Sequence, residues 1–268
     1  MAKIHILVLK VLILFSVFAC DVHAATKNTV GVVLLHGKWG NPSQHINTLA
    51  TSLKEKGYIV LTPLMPWSKS RGYDVDYPAA LGIVENNIQE LRKKGAKIIV
   101  LAGHSMGANA SIAYAAYGHE KIDAIIAVAP GHTPDLHKYH MNVESSLNKA
   151  NKMIKAGQGG ESESFIDLNG GRYESINMTA ATYYSFNDPC GMASMPISAS
   201  KVTQRIPLFW IVAGPEDVLY NAGKDYVFEK WPSNPLNRYL ILNATHLSAP
   251  DNAKDEIVKW IDTLTLSF

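Results

Sequence analysis

Ser105 lies in Gly103-His104-Ser105-Met106-Gly107, directly after the aliphatic run IIVLA. A G-x-S-x-G pentapeptide between a strand and a helix forms a tight, strained turn that exposes the serine hydroxyl. Glycines on both flanks leave room for so sharp a reversal. A hydroxyl is a weak nucleophile near neutral pH, so this chemistry needs a base, and the base needs an acid to orient it. His246, in LILNATHLSAP, is the candidate base, and Asp217, in FWIVAGPEDVL, the candidate acid, with Glu216 as the neighbouring alternative. Taken singly, His246 also reads as a loop histidine and Asp217 as the cap of the next helix. What joins them to Ser105 is that all three follow the carboxyl ends of expected parallel strands, where sites in open α/β sheets form.

Such a nucleophile also needs donors for the negative charge that develops on a carbonyl oxygen. The Met106 N–H, opening the helix after Ser105, is one candidate. The second is the Lys38 N–H in LLHGKWGN, in a glycine-bearing loop after the first core strand. Trp39 beside it is a candidate for lining a substrate pocket. The alternative for this loop is an ordinary strand-end turn with a buried His36.

The positioning elements are six short aliphatic runs, at 30–37, 58–63, 97–104, 122–130, 207–214 and 238–244. Most are continuously apolar rather than alternating, as expected of strands buried on both faces of a parallel sheet. Amphipathic helical patterns lie between them: Ile46, Leu49, Ala50 and Leu53; Leu81, Val84, Ile88 and Leu91; Ile257, Val258, Ile261 and Leu264. Asn41-Pro42 predicts the N-cap and first turn of the first helix, while Gly57 and Gly95 mark helix ends. The helix after Ser105, MGANASIAYAAY, has small residues that allow close approach to the sheet. Between about 131 and 205 the alternation breaks into a helix, a hairpin around Asn169-Gly170-Gly171 and a short helix AATYYSF. This insertion is a candidate lid, and its aromatics suggest a small or medium apolar acyl group.

The elbow at Ser105, the His36-Gly37 loop, the acid and the histidine together resemble the α/β-hydrolase superfamily, from about Val30 to the C-terminus. The stretch TAATYYSFNDP followed by ISASKVTQRIPLFWIVAGPEDVL is similar to members with a modest lid before the acid-bearing strand. The resemblance implies an α/β-hydrolase fold: a mostly parallel sheet, helices on both faces and a small lid insertion. It also implies a triad of Ser105, Asp217 and His246, with the Lys38 and Met106 amides as oxyanion donors. The implied activity is that of a serine esterase or lipase on a small-molecule ester, with no cofactor. Thioester or amide hydrolysis uses the same parts, and a catalytically silent binding protein is the alternative of another class. The loop lacks the longer HGGG run of some lipases and esterases, so their substrates are a poor guide.

The chain has 268 residues, 47% hydrophobic and 18% charged, enough for one large α/β domain. A net charge of +2, without a basic stripe, gives no electrostatic footprint for nucleic acid. Residues 1–24 read as a signal peptide, with a basic start, an apolar run and small Val22 and Ala24 before the cut, leaving 25–268 as the mature domain. Secretion or a periplasmic location follows, with no stable membrane span after processing. VFAC loosely resembles a lipobox, so a lipid anchor at Cys20 is an alternative, although Phe18 departs from the pattern. Cys190 is the only other thiol, and no internal disulfide is expected unless Cys20 pairs with it. His132, His137 and His140, with Asp135, could in principle hold a metal, but a hydrated lid helix is the preferred reading. No P-loop or dinucleotide fingerprint occurs.

Overall fold

The computed structural model describes residues 29–266. The signal segment 1–24 and Cys20 lie outside the described residues. Each of the six aliphatic runs forms a strand: β1 (Val30–Leu35), β2 (Ile59–Leu61), β3 (Ile98–Ser105), β4 (Ala124–Pro130), β7 (Leu208–Val212) and β8 (Arg238–Ile241). They make one sheet in the order β2-β1-β3-β4-β7-β8, with every pairing parallel. β1, β3, β4 and β7 are buried along their whole length, which explains why their sequences do not alternate.

The two faces hold separate cores. Val30, Val32 and Leu34 point to one, packed under α1 (Asn47–Glu55) and α8 (Ala249–Thr265). Val33 and Leu35 point to the other, under α2 (Tyr77–Lys93) and α3 (Met106–Tyr117). The predicted apolar stripes of α1, α2 and α8 are all buried. Gly57 and Gly95 follow the ends of α1 and α2 at φ 89° and 91°, where a side chain would be strained.

The start of α1 differs from expectation. Asn41 does not cap it: Asn41 Oδ1 accepts the Ser43 N–H in a local turn, and the helix begins at Asn47. His45 at φ 52° lies between them, and that left-handed conformation interrupts a right-handed helix.

The insertion contains α4 (His137–Lys155), the antiparallel hairpin β5 (Ser162–Asn169) and β6 (Arg172–Thr179), α5 (Ala180–Asn187) and α6 (Met195–Lys201). Gly170 and Gly171, at φ 55° and 77°, supply the two positive values that a tight hairpin turn needs. Several of its aromatics anchor it to the body of the protein. Phe165 stacks on Tyr183 at 4.6 Å, and Phe186 meets Tyr73 and Tyr77 edge-on at 4.9 and 5.1 Å. These three insertion aromatics are fully buried in the α2–α3 core, so they fasten the insertion to the body. Among the described residues no helix is long and apolar enough to cross a membrane.

Candidate active site

Ser105 ends β3 and immediately precedes α3, with φ 55° and ψ −118°. The flanking glycines are required sterically. A Cβ on Gly103 would overlap the Gly107 carbonyl and Ala108 N, and one on Gly107 would run into the Leu35 main chain. Small residues let α3 lie against the sheet, buried from Met106 through Tyr114. Ser105 occupies the N-cap position of α3, yet its hydroxyl makes no capping bond. The Oγ instead lies 2.9 Å from His246 Nε2. Met106 is the first residue of α3, so its N–H has no intrahelical acceptor.

His246 follows β8, and its Nδ1 lies 2.7 Å from Asp217 Oδ2. A carboxylate there draws the ring proton to Nδ1 and leaves Nε2 free to accept from Ser105. Asp217 follows β7 and caps α7 (Val218–Ala222): its Oδ1 accepts the Leu219 N–H at 3.0 Å. The capping role and the histidine contact therefore use different oxygens of one carboxylate. Asp217 is 4% exposed, whereas Glu216 points to solvent. Three residues drawn from three strand ends thus converge in one hydrogen-bonded chain.

Two neighbours that sequence reasoning did not assign complete this face. His104 donates from Nε2 to the His246 carbonyl at 2.8 Å, and its Nδ1 is buried without a partner. Burial, reinforced by the nearby His246, pushes the His104 pKa down to about 3, so it stays neutral. Gly131, just after β4, has its α-carbon against the nucleophile: an added Cβ would stand 2.8 Å from Ser105 Oγ and 3.4 Å from His246 Cε1. The signal for His104 was its place inside the pentapeptide. Gly131 gave none beyond following a strand.

The loop after β1 passes close by, since a Cβ on Gly37 would come within 3.1 Å of Ser105 Cβ. His36 is buried and occupied structurally: its Nε2 accepts the Met65 N–H at 2.9 Å, and Nδ1 faces the Gly37 carbonyl at 2.8 Å. Burial lowers its pKa as well. The Trp39 N–H is donated to the Trp67 carbonyl at 2.8 Å, which removes it as an oxyanion donor.

Trp39, the candidate for lining a pocket, is half-buried and also fastens the loop. Its indole N–H donates to Asp167 Oδ2 at 2.7 Å, and the Lys69 ammonium sits 5.1 Å from its ring centre. It braces the loop against the hairpin. The Lys38 side chain, which no motif singled out, is buried and paired with Asp167 Oδ1 at 2.5 Å. The histidines of the insertion separate: His132 is held by Phe186 O and Tyr139 OH, His137 is exposed, and Asp135 accepts from Tyr226 OH. Among the described residues no group of three or more His, Cys, Asp or Glu side chains is gathered as a metal site.

Comparison with known proteins agrees with this architecture. The sequence pattern of the Alpha/beta hydrolase family matches residues 32–259. No curated protein matches the sequence significantly. A soluble variant of monoglyceride lipase from Saccharomyces cerevisiae superposes with a TM-score of 0.63 at 17% identity, covering 90% of this chain and 88% of that one. A thermostable carboxyl esterase from Bacillus coagulans gives a TM-score of 0.63 at 13% identity over 89% of this chain and 91% of the other. A thioesterase domain from the curacin biosynthetic pathway gives 0.51 at 16% identity, with 90% and 92% covered. At such identities the likeness is one of fold. With the family pattern spanning β1 to α8, this chain belongs to the alpha/beta hydrolase family.

Proposed function

We propose that the chain is a serine hydrolase that cleaves an ester-like acyl bond through Ser105, His246 and Asp217. The observation that carries this reading is the continuous chain from Ser105 Oγ to His246 Nε2, at 2.9 Å, and from His246 Nδ1 to Asp217 Oδ2, at 2.7 Å. Ester hydrolysis is supported in a general way by the lipase and esterase neighbours. In this mechanism His246 Nε2 takes the hydroxyl proton as Ser105 Oγ bonds to the carbonyl carbon. The carbonyl π pair moves to oxygen, and the Met106 and Lys38 N–H groups stabilise the resulting anion. Collapse breaks the bond to the leaving group, which receives the proton from His246. Water, deprotonated by the same nitrogen, then attacks the acyl-enzyme and restores Ser105.

Esterase assays over p-nitrophenyl esters, thioesters and amides test this reading. The Ser105→Ala variant should fold normally and lose turnover by about 10⁴-fold or more on the preferred class. Turnover near that of the wild type would overturn the assignment. A preference for thioesters over esters would keep the mechanism and change the substrate class. The N-terminal segment supports export with removal of residues 1–24, and the mass of the mature N-terminus tests it. A lipid mass on Cys20 would mark the tethered alternative instead.

A further inference from the structure

We infer that Asp167, on the tip strand of the inserted hairpin, is a positioning residue that holds the Lys38 peptide in place as an oxyanion donor. This rests on the reading of Ser105 as nucleophile.

The hairpin grips the loop at several atoms. Asp167 Oδ1 takes Lys38 Nζ at 2.5 Å, and Oδ2 takes the Trp39 indole N–H at 2.7 Å. Lys38 Nζ also donates to the Leu168 carbonyl at 3.1 Å and to Tyr139 OH at 3.3 Å. Asn169 Nδ2 donates to the main-chain oxygen of Lys38 at 3.2 Å. Lys38 is thus held by three consecutive residues of β5 at its ammonium and at its main-chain carbonyl, on either side of the α-carbon that carries the donor N–H. Tyr73 OH donates to the same Asp167 Oδ2 at 2.8 Å, fixing the carboxylate from the body of the protein.

Two physical arguments say that this clamp does more than attach the hairpin. First, Trp39 has φ 59°. A bulky non-glycine residue stays in that conformation only when its surroundings over-determine it. Releasing its indole would let the backbone relax: the Lys38–Trp39 peptide would turn, and the Lys38 α-carbon that carries the donor N–H would move with it. Second, the Lys38–Asp167 pair is almost completely dry, each side chain 3% exposed. Desolvation makes such a pair a poor source of net stability compared with apolar side chains of similar volume, whereas it fixes geometry tightly. Burial alone would raise the Asp167 carboxyl, but the Lys38 charge and the Lys38, Tyr73 and Trp39 hydrogen bonds together hold it below its ordinary value.

The test pairs Asp167→Asn with a double variant, Lys38→Met plus Asp167→Leu, which keeps the Lys38 N–H and fills the space with apolar atoms. On the preferred ester both should lose about 10- to 100-fold in kcat, with KM within about threefold of wild type. Affinity for a boronic acid transition-state analogue should fall by the same factor as kcat. Hydrogen exchange across residues 36–40 should speed up, a readout independent of activity. A double variant that melts with the wild type and keeps its kcat would overturn the proposal, as would unchanged exchange in the loop. If the wild type hydrolyses nothing and takes no fluorophosphonate adduct at Ser105, the functional reading fails. The exchange result then still decides whether Asp167 holds the loop.

Discussion

Ser105 stands between two regions built on different principles. On the sheet side, β1, β3, β4 and β7 present uninterrupted aliphatic surface, and Asp217 and His246 arrive because β7 and β8, two and three places along the sheet from β3, end at the same rim of it. On the insertion side, a dry polar cluster of Lys38, Asp167, Tyr73, Tyr139, His132 and Asn187 joins the first loop to the hairpin. Apolar packing tolerates rearrangement when volume is kept, whereas a buried polar cluster depends on every member being satisfied. The position of Ser105 therefore rests on the forgiving part, and that of the Lys38 loop on the demanding one.

The largest effect should come from the sheet side. Asp217→Asn leaves the shape of the site but removes the charge that sets the His246 proton, and should lower kcat by about 10⁴-fold. Glu216→Gln, at an exposed position one residue away, should leave kcat unchanged. Steady-state kinetics of the pair check both, and a loss in the Glu216 variant instead would move the acid by one residue.

At the seam between the regions, Gly131→Ala places a methyl against Ser105 Oγ and His246 Cε1. A displacement of this order should lower kcat by about 10- to 100-fold without unfolding the protein. Equal activity in Gly131→Ala would mean that the space beside Ser105 is wider than the contacts indicate.

The last effect is on stability rather than turnover, concerns pH and involves a histidine on each side. Burial first, and then His246 near His104 or Lys38 near His132, pushes both pKa values down to about 3 from the ordinary 6.5. Each folded-state pKa lies below its unfolded value, so below pH 6.5 the unfolded chain binds the extra protons. Their contribution is complete above pH 6.5 and is lost as pH falls toward 3, by up to about 1.4 kcal/mol per pH unit for each histidine. Urea melts between pH 7 and pH 4 check this, with His132→Asn and His104→Asn flattening the slope separately. A slope untouched by either substitution would assign the acid sensitivity to other groups.

The same contrast explains what could be read from the sequence. β1, β3, β4 and β7 were legible because burial on both faces leaves an unmistakable aliphatic signature, and the shorter, partly buried β2 and β8 because their apolar runs keep the same spacing between helices. The positions of Ser105, Asp217 and His246 were legible because each follows one of those strands. The first turn of α1 was misplaced because Asn41-Pro42 has capping chemistry, while the interruption at His45 is a backbone event that its side chain does not announce. Asp167 escaped notice because its partner lies 129 residues away in sequence. One cue was present: strand periodicity places Asp167 on the same face as the buried Phe165, so a carboxylate was destined for the interior and needed a cation. The bracing role of Trp39 escaped the sequence because the acceptor of its indole N–H lies 128 residues away.

The most direct measurement is mass-spectrometric mapping of a fluorophosphonate adduct on the wild-type protein and on His246→Ala. An activated nucleophile predicts a single adduct on Ser105 that forms rapidly in the wild type and is almost abolished when the imidazole is removed. Label absent from Ser105, or acquired there equally fast without His246, would contradict the account.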